Sequence, residues 1–427
     1  MSEKEALLAA IDRDRDEIIE FLRGFIRAKS PNPPGNTQEA ARYVSEFLDA
    51  EGLDYRIIAP NNEFPNVVAS FAGPQPQRHL VLNGHIDVFP VDPVGWTKDP
   101  WAGEMIDGKI YGRGACDMKA GTSASIFTYR YLHRIRGKLK GRLTLTCVSD
   151  EETLGPWGAR YLLENCPEVR GDCMLSAEPS GKNAIRFGEK GLLWVTFNVR
   201  RPGAHGSYTH KSESAIKVAS HIIADLEALT NIPPNLPSDV EQAIRNAAPA
   251  VEEIWGNGAA NIIPKVTLNI GVIAGGLKVN MIPSHCRFEV DIRIPVGIDK
   301  DEIVTALNRI VSRYPEVTFE ENHFTAPAFC DPYGEMSELL RDNVKQLSDV
   351  ATTPIVSLAA TDARLWRYRK IPAYIYGTPP VGIASHDEHV SIDDYLHVVR
   401  THVLSAYDYL SRDEPPRVRD SISGNHN

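Results

Sequence analysis

The 427-residue chain is poor in the features that mark several common protein classes. It has six cysteines (Cys116, Cys147, Cys166, Cys173, Cys286 and Cys330), and no two form a C-x-x-C pair. That spacing argues against a zinc-thiolate finger and fits buried free thiols in a reducing compartment. Basic charge is in deficit: 46 Lys and Arg stand against 56 Asp and Glu, a formal net charge of −10. A nucleic-acid partner usually needs a basic stripe to neutralise phosphates, so that class is disfavoured. No run approaches the ~20 apolar residues that a membrane-spanning helix requires. The acid-rich N-terminus also lacks the apolar centre of a signal peptide. The expectation is a soluble, cytoplasmic protein that acts on a small molecule, with no nucleic acid and no membrane among its partners.

What is present is ordinary in amount and informative in order. Hydrophobic residues make up 42% and charged residues 24%, as in soluble globular chains, and the length suggests two domains. Apolar residues at helical spacing over 5–28 (Leu7, Leu8, Ile11, Ile18, Leu22, Phe25, Ile26) predict an amphipathic helix. Pro31-Asn32-Pro33-Pro34-Gly35 stops it in a turn, and Thr37 is placed as the N-cap of a second helix ending at Gly52. Strands are predicted at 55–58, 66–71, 79–82 and 142–148, with a helix at 120–136. This alternation predicts an α/β fold, a sheet covered by helices on both faces.

After residue 188 the pattern changes. Strands at 192–200, 266–273 and 287–294 alternate with helices at 212–229 and 299–314, which reads as an inserted α+β unit. The α/β pattern then returns, with a strand at 373–376 and a closing helix at 393–410. The expected division is 1–188 and 299–412 for the main domain, 189–298 for the insert, and 413–427 as a mobile tail.

Four motifs carry potential chemistry. In Asn83-Gly84-His85-Ile86-Asp87, His85 and Asp87 leave one face of an extended backbone, and a carboxylate can fix a histidine tautomer for metal binding. Asp117 follows Tyr111-Gly112-Arg113-Gly114-Ala115-Cys116, where a glycine-rich loop enters a helix. Glu151 and Glu152, in Ser149-Asp150-Glu151-Glu152-Thr153-Leu154-Gly155, are adjacent acids straight after an apolar strand; a cation would relieve their repulsion and leave one free as a base. Glu178 follows another short apolar segment. Each has a bland reading alone: a surface pair, a helix cap, a solvated turn, a loop acid. Together they stand at strand ends of one sheet, which in open α/β sheets gather into one crevice. Oxygen and imidazole donors without thiolate suit zinc, manganese or cobalt.

The order of these motifs resembles the co-catalytic metallopeptidase and deacylase family of acetylornithine deacetylase, succinyl-diaminopimelate desuccinylase, aminoacylase and glutamate carboxypeptidase, from the first helix to about residue 410. The resemblance implies that Asp117 bridges two metals and precedes a cis peptide to Met118. It implies that His85 and Glu178 complete one site, that Glu152 serves the other, that Asp87 orients His85, and that Glu151 is the general base. It also makes the insert a lid and dimerisation domain, so that a homodimer is expected. There, Gly203-Ala204-His205-Gly206-Ser207 looks like the lid motif whose histidine steadies the oxyanion in the partner subunit's active site. Asn280, Arg293, Asp362 and Arg364 match positions beside the substrate.

The sharpest departure from the family lies near the C-terminus. The family's fifth ligand, a histidine four residues before a glutamate, would fall on Ala384 if Glu388 keeps its place. The expectation passes to His386 or His389, with one or two divalent ions per chain. The implied reaction is amide hydrolysis in a small carboxylate-bearing substrate. The altered stretch leaves a second reading, an aminohydrolase that releases ammonia from an aromatic amine such as 5-nitroanthranilate. A non-catalytic metal-binding relative is a third, although both Glu151 and Asp117 are present.

Overall fold

The computed structural model describes residues 1–415 of the chain. Its first unit comprises Met1–Phe187, Cys330–Ile355 and, of the described residues, 361–415. The strands Arg78–His85, Gly141–Val148 and Cys173–Ser176 are buried along nearly their whole length. Both faces of the sheet are covered, so even the alternating Thr144 and Thr146 of Gly141–Val148 are buried. Arg78–His85 runs parallel to both of the others, and Ala373–Ile375 lies parallel to Cys173–Ser176. Antiparallel strands Asn66–Ala72 and Tyr55–Ile58 extend the sheet beyond Gly141–Val148. Val81, Val148 and Met174 pack with Leu162 and Trp366, which come from the helices Ala159–Asn165 and Ala363–Arg367. The helices Ala120–Arg134 and Ile392–Leu410 pack together and against Arg78–His85. The sheet is thus the helix-covered α/β sheet that the alternation predicts. Because the central strands are parallel, the segments after His85, Val148 and Ser176 all leave from one end of it.

The second unit is Gly188–Phe329 with Val356–Ala360. Four antiparallel strands lie in the order Thr267–Gly275, His285–Ile294, Gly191–Arg200, Val317–Thr325. His285–Ile294 alternates buried with less buried positions, the signature of a sheet with one face on a core. That core joins Phe197, Val199, Phe288 and Ile292 to Val218 and Ile222 of the helix Ala215–Leu226.

The structure corrects several boundaries. The insert continues past 298 to Phe329. Ile303, Leu307 and Ile310 of the helix Lys300–Val311 belong to its core, and Val317–Thr325 pairs with Gly191–Arg200. The first helix is two, Glu3–Arg13 and Arg15–Arg27, broken at Asp14, whose carboxylate accepts from Arg130 and Tyr131. Thr37 does precede the helix Gln38–Ala50 but makes no side-chain cap; its hydroxyl pairs with the Ser149 hydroxyl at 2.6 Å. Of the expected mobile tail, residues to Pro415 are tied down, with the Glu414 and Pro415 carbonyls accepting from Arg78; 416–427 lie outside the described residues. Among the described residues no helix is long and apolar enough to cross a membrane.

Candidate metal centre

His85 ends its strand almost fully buried. Its Nδ1 lies 2.8 Å from the Asp87 carbonyl. A carbonyl only accepts, so Nδ1 carries the hydrogen and donates, and Nε2 is left to face the site. Nε2 stands 3.1 Å from Asp117 Oδ1 and 3.4 Å from Glu178 Oε1. A bare imidazole lone pair this close to two carboxylates requires positive charge between them, either a proton or a cation. Burial works against charging His85, but Glu178 and Asp117 outweigh it and hold its pKa well above the usual histidine range.

The expected role of Asp87 changes in detail. Its backbone carbonyl, not its carboxylate, holds His85; the carboxylate is 3.6 Å from Nδ1. Instead the carboxylate accepts the N–H of Glu151 at 3.2 Å and of Glu152 at 3.0 Å. Asp87 therefore fixes the backbone of the acidic pair.

Asp117 lies in the turn Ala115–Lys119 and is joined to Met118 by a cis peptide, as the family resemblance implies. At Gly121, just beyond, a Cβ would stand 2.2 Å from the Ala177 carbonyl. Only glycine lets this helix start approach the strand end that carries Glu178. The Asp117 turn has a second anchor that the sequence did not disclose. Buried Glu388 accepts the N–H groups of Cys116 and Asp117 through Oε1 at 2.9 and 3.1 Å, and Arg113 donates to its Oε2 at 2.6 Å. Arg113 and Glu388 lie 275 residues apart, so no local pattern links them.

Potential ligand atoms of His85, Asp117 and Glu152 lie within 4.8 Å of one another, as do those of His85, Glu151 and Glu178. Glu152 Oε1 is buried without a hydrogen-bond partner. Burial first, and then neighbouring acids, push the carboxyls of Glu151, Glu152 and Glu178 upward; for Glu151 the acids are Asp362 and Glu178, and for the other two the foremost is Asp117. An uncompensated buried charge costs several kcal/mol, so these acids cannot all ionise without a cation. One imidazole and four carboxylates around an orphaned oxygen fit a hard or borderline divalent metal.

Asp362 and Arg364 are both buried in the first unit. Asn83 Nδ2 donates to Asp362 Oδ2 at 3.5 Å, and Arg364 donates to the Thr361 carbonyl. Burial raises the Asp362 carboxyl to about 6, with Arg364 opposing the rise. Both side chains act electrostatically on Glu151, Asp362 raising its carboxyl and Arg364 lowering it.

The C-terminal histidines do not join the potential ligand groups. His386 is exposed beside Trp96, and His389 directs Nδ1 at the Asp387 carbonyl while its ring lies 4.8 Å from Tyr111. The expectation of a ligand there therefore stands as a proposal, and the loop itself is anchored. The Asp387 carboxylate accepts from the Thr97 amide, the Thr97 hydroxyl and the Lys98 amide, which ties the loop to 97–98.

In the second unit, His205 pairs with Met281 on a two-residue ladder, and Gly206 N–H donates to the Asn280 carbonyl at 2.7 Å. His205 and Asn280 are therefore neighbours, both exposed. His205 Nδ1 lies 2.8 Å from the Ser207 hydroxyl. Arg293 stands on the strand His285–Ile294, ion-paired with Asp291 at 3.0 Å.

Residues 81–408 match the model of peptidase family M20/M25/M40. The chain is 35% identical to an N-formyl-4-amino-5-aminomethyl-2-methylpyrimidine deformylase of Halalkalibacterium halodurans, over 70% of this chain and 68% of that one. It is 25% identical to a succinyl-diaminopimelate desuccinylase of a Ruegeria species, over 88% of this chain and 90% of the relative. Its fold matches an M20 family metallo-carboxypeptidase of Sulfolobus solfataricus with a TM-score of 0.77 at 18% identity, covering 96% and 99% of the two chains.

Proposed function

Because the chain belongs to peptidase family M20/M25/M40, and so is a metal-dependent hydrolase of carbon–nitrogen bonds, we propose that it removes a short acyl group from a small, carboxylate-bearing amine. The observation that carries this reading is the buried Glu151 carboxylate, set against His85 and Glu178 by a backbone that Asp87 holds. The relatives reported above are named for removing formyl and succinyl groups, and this turns the reading away from ammonia release from an aromatic amine. A non-catalytic role is set aside for the same chain, which keeps its base and its acids.

We assign one ion to His85, Asp117 and Glu178, and a second, weaker position to Asp117 and Glu152, because neither His386 nor His389 reaches it as the loop stands. Zinc, manganese and cobalt all suit so oxygen-rich a donor set. A bound divalent metal would polarise the scissile carbonyl and make water acidic enough to attack near neutral pH. Glu151 accepts the proton of the attacking water at its carboxylate and returns it to the leaving nitrogen. Asp87 keeps Glu151 and Glu152 in register during that transfer. Arg364, with Asp362 beside it, is our candidate for orienting the substrate carboxylate; on the family resemblance alone we also propose Asn280 and Arg293 as substrate-binding residues.

We also propose a homodimer built on the second unit, with His205 steadying the oxyanion. The support is the edge strand Thr267–Gly275, which leaves Val272 and Ile273 about half exposed beside Leu277 and Val279. An apolar, unpaired edge of this kind invites a second strand. A cytoplasmic location agrees with six free cysteines, five of them buried. The test is a panel of N-formyl, N-acetyl and N-succinyl amino acids set beside aromatic amines. Release of the acyl acid supports the reading, and ammonia from the aromatic amines alone contradicts it.

A further inference from the structure

Pro31-Asn32-Pro33-Pro34-Gly35 reads in sequence as a helix stop; in the structure it is a brace. Ser30 to Asn32 run beside Ile86 to Val88. Val88 N–H donates to the Ser30 carbonyl at 3.0 Å, Asn32 N–H to the Val88 carbonyl at 2.8 Å, and the Ser30 hydroxyl to the Ile86 carbonyl at 2.6 Å. This sets the Asn32 side chain, 2% exposed, between two buried acids. Its Nδ2 donates to Asp87 Oδ2 at 2.9 Å and to Asp150 Oδ1 at 3.3 Å, with the Thr153 hydroxyl at 3.4 Å. Asp87 receives the N–H groups of Glu151 and Glu152. Asp150 receives the Thr153 hydroxyl at 2.6 Å and the Trp157 N–H at 3.2 Å. The two acids thus grip the 150–157 loop from both sides, and one carboxamide bridges them. Thr37, from the same segment, adds its bond to Ser149 at the base of that loop.

We propose that Asn32 is a positioning residue for the reaction: its NH2 group bridges Asp87 and Asp150 and so holds the Glu151–Glu152 pair in place. The chemistry suits the task. A carboxamide offers two N–H donors and no charge. Alanine leaves two buried carboxylate oxygens without this donor, and aspartate adds a third carboxylate to a site that already holds two. The inference rests on the roles proposed above for Glu151 and Glu152.

The experiment compares Asn32→Ala, Asn32→Ser and Asn32→Asp with Ser30→Ala, which cuts the same brace but leaves the carboxamide. Each protein is melted, titrated with Zn²⁺ by calorimetry after demetallation, and assayed with an N-acyl amino acid that the wild type hydrolyses. Changes beyond the direct ligands typically cost about 10–100-fold in metal affinity or activity. N32A should lose kcat by roughly that factor with KM changed less than about threefold, and should bind Zn²⁺ about tenfold more weakly. N32D should lose more, and N32S, which keeps a short donor, less; N32S also serves if N32A does not fold. S30A should melt earlier yet keep kcat and Zn²⁺ affinity within about twofold of wild type. The proposal is overturned if N32A or N32S matches wild type in both kcat and Zn²⁺ affinity, or if S30A loses as much of both. Should the wild type hydrolyse no N-acyl substrate, the proposed function fails, and the Zn²⁺ titration alone still decides the role of Asn32.

Discussion

The two units bury different things. In the first, one end of the sheet collects His85, Asp87, Asp150, Glu151, Glu178, Asp362, Arg364 and Glu388, all buried. In the second, the core cluster is aliphatic and aromatic apart from Cys286, the buried ionisable residues Glu189 and Lys190 lie at its first strand, and the candidate functional residues His205 and Asn280 are exposed. Ionisable groups are almost never fully buried unless paired or metal-bound. The first unit therefore gathers buried acids at one end of its sheet, at an electrostatic cost that a bound cation would offset. The second declares stability and a surface; its residues acquire chemical meaning only through what that surface meets.

This contrast can be broken most sharply at Glu151. Glu151→Gln should lower kcat about 10²–10⁴-fold, the range for a lost general base, while elemental analysis finds the metal retained. Comparable activity would remove Glu151 from the mechanism and leave the buried cluster as a binding site only. In the second unit, His205→Ala should cost about 10²–10³-fold in kcat if this exposed histidine stabilises the oxyanion, with melting and metal content unchanged. A change below about threefold would show that the second unit contributes no chemistry. Ile273→Lys on the exposed edge strand should turn the dimer into a monomer in sedimentation analysis; a variant that sediments like wild type would disprove that interface.

Smaller effects sharpen the picture within the first unit. Glu388→Gln weakens the charged clamp on the Asp117 turn and should cost about tenfold in metal affinity or activity, as outer partners of ligands generally do. A purely structural test lies farther from the centre. Buried His402 donates from Nε2 to the Tyr376 carbonyl at 2.6 Å, and burial lowers its pKa to about 4. The unfolded chain takes up this proton near pH 6.5 and the folded chain does not. Its contribution is therefore complete above about pH 6.5 and lost as the pH falls towards 4, on the order of 3 kcal/mol. His402→Gln keeps a donor without the titration, so its melting temperature should fall less steeply over that window than the wild type's.

The sequence was most informative where physics was local. Strand-end acids followed apolar runs, and parallel strands then had to bring His85, Glu151, Glu152 and Glu178 to one end. Glu388, Arg113 and Asn32 escaped because their partners are remote in the chain, and side-chain hydrogen bonds between distant loops leave no periodic trace. The boundary at 298 cut off a helix that the α+β pattern had offered to the insert; Lys300–Val311 is amphipathic in a way that suits either unit, and only pairing of Val317–Thr325 decides its place. The loop at 382–389 was less legible for a different reason: its histidines suit a metal in type, but its course is set by Asp387 accepting from Thr97, a partner 290 residues away.

The central claim is that the buried acids and His85 form the metal centre. Elemental analysis of metal per chain, on wild type and on Asp117→Asn purified side by side without chelator, tests it most directly. The account predicts at least one divalent ion per wild-type chain and its loss, with all hydrolysis, in the variant. A wild type that is fully active without metal, or an Asp117→Asn protein that keeps the wild-type metal content and activity, would contradict it.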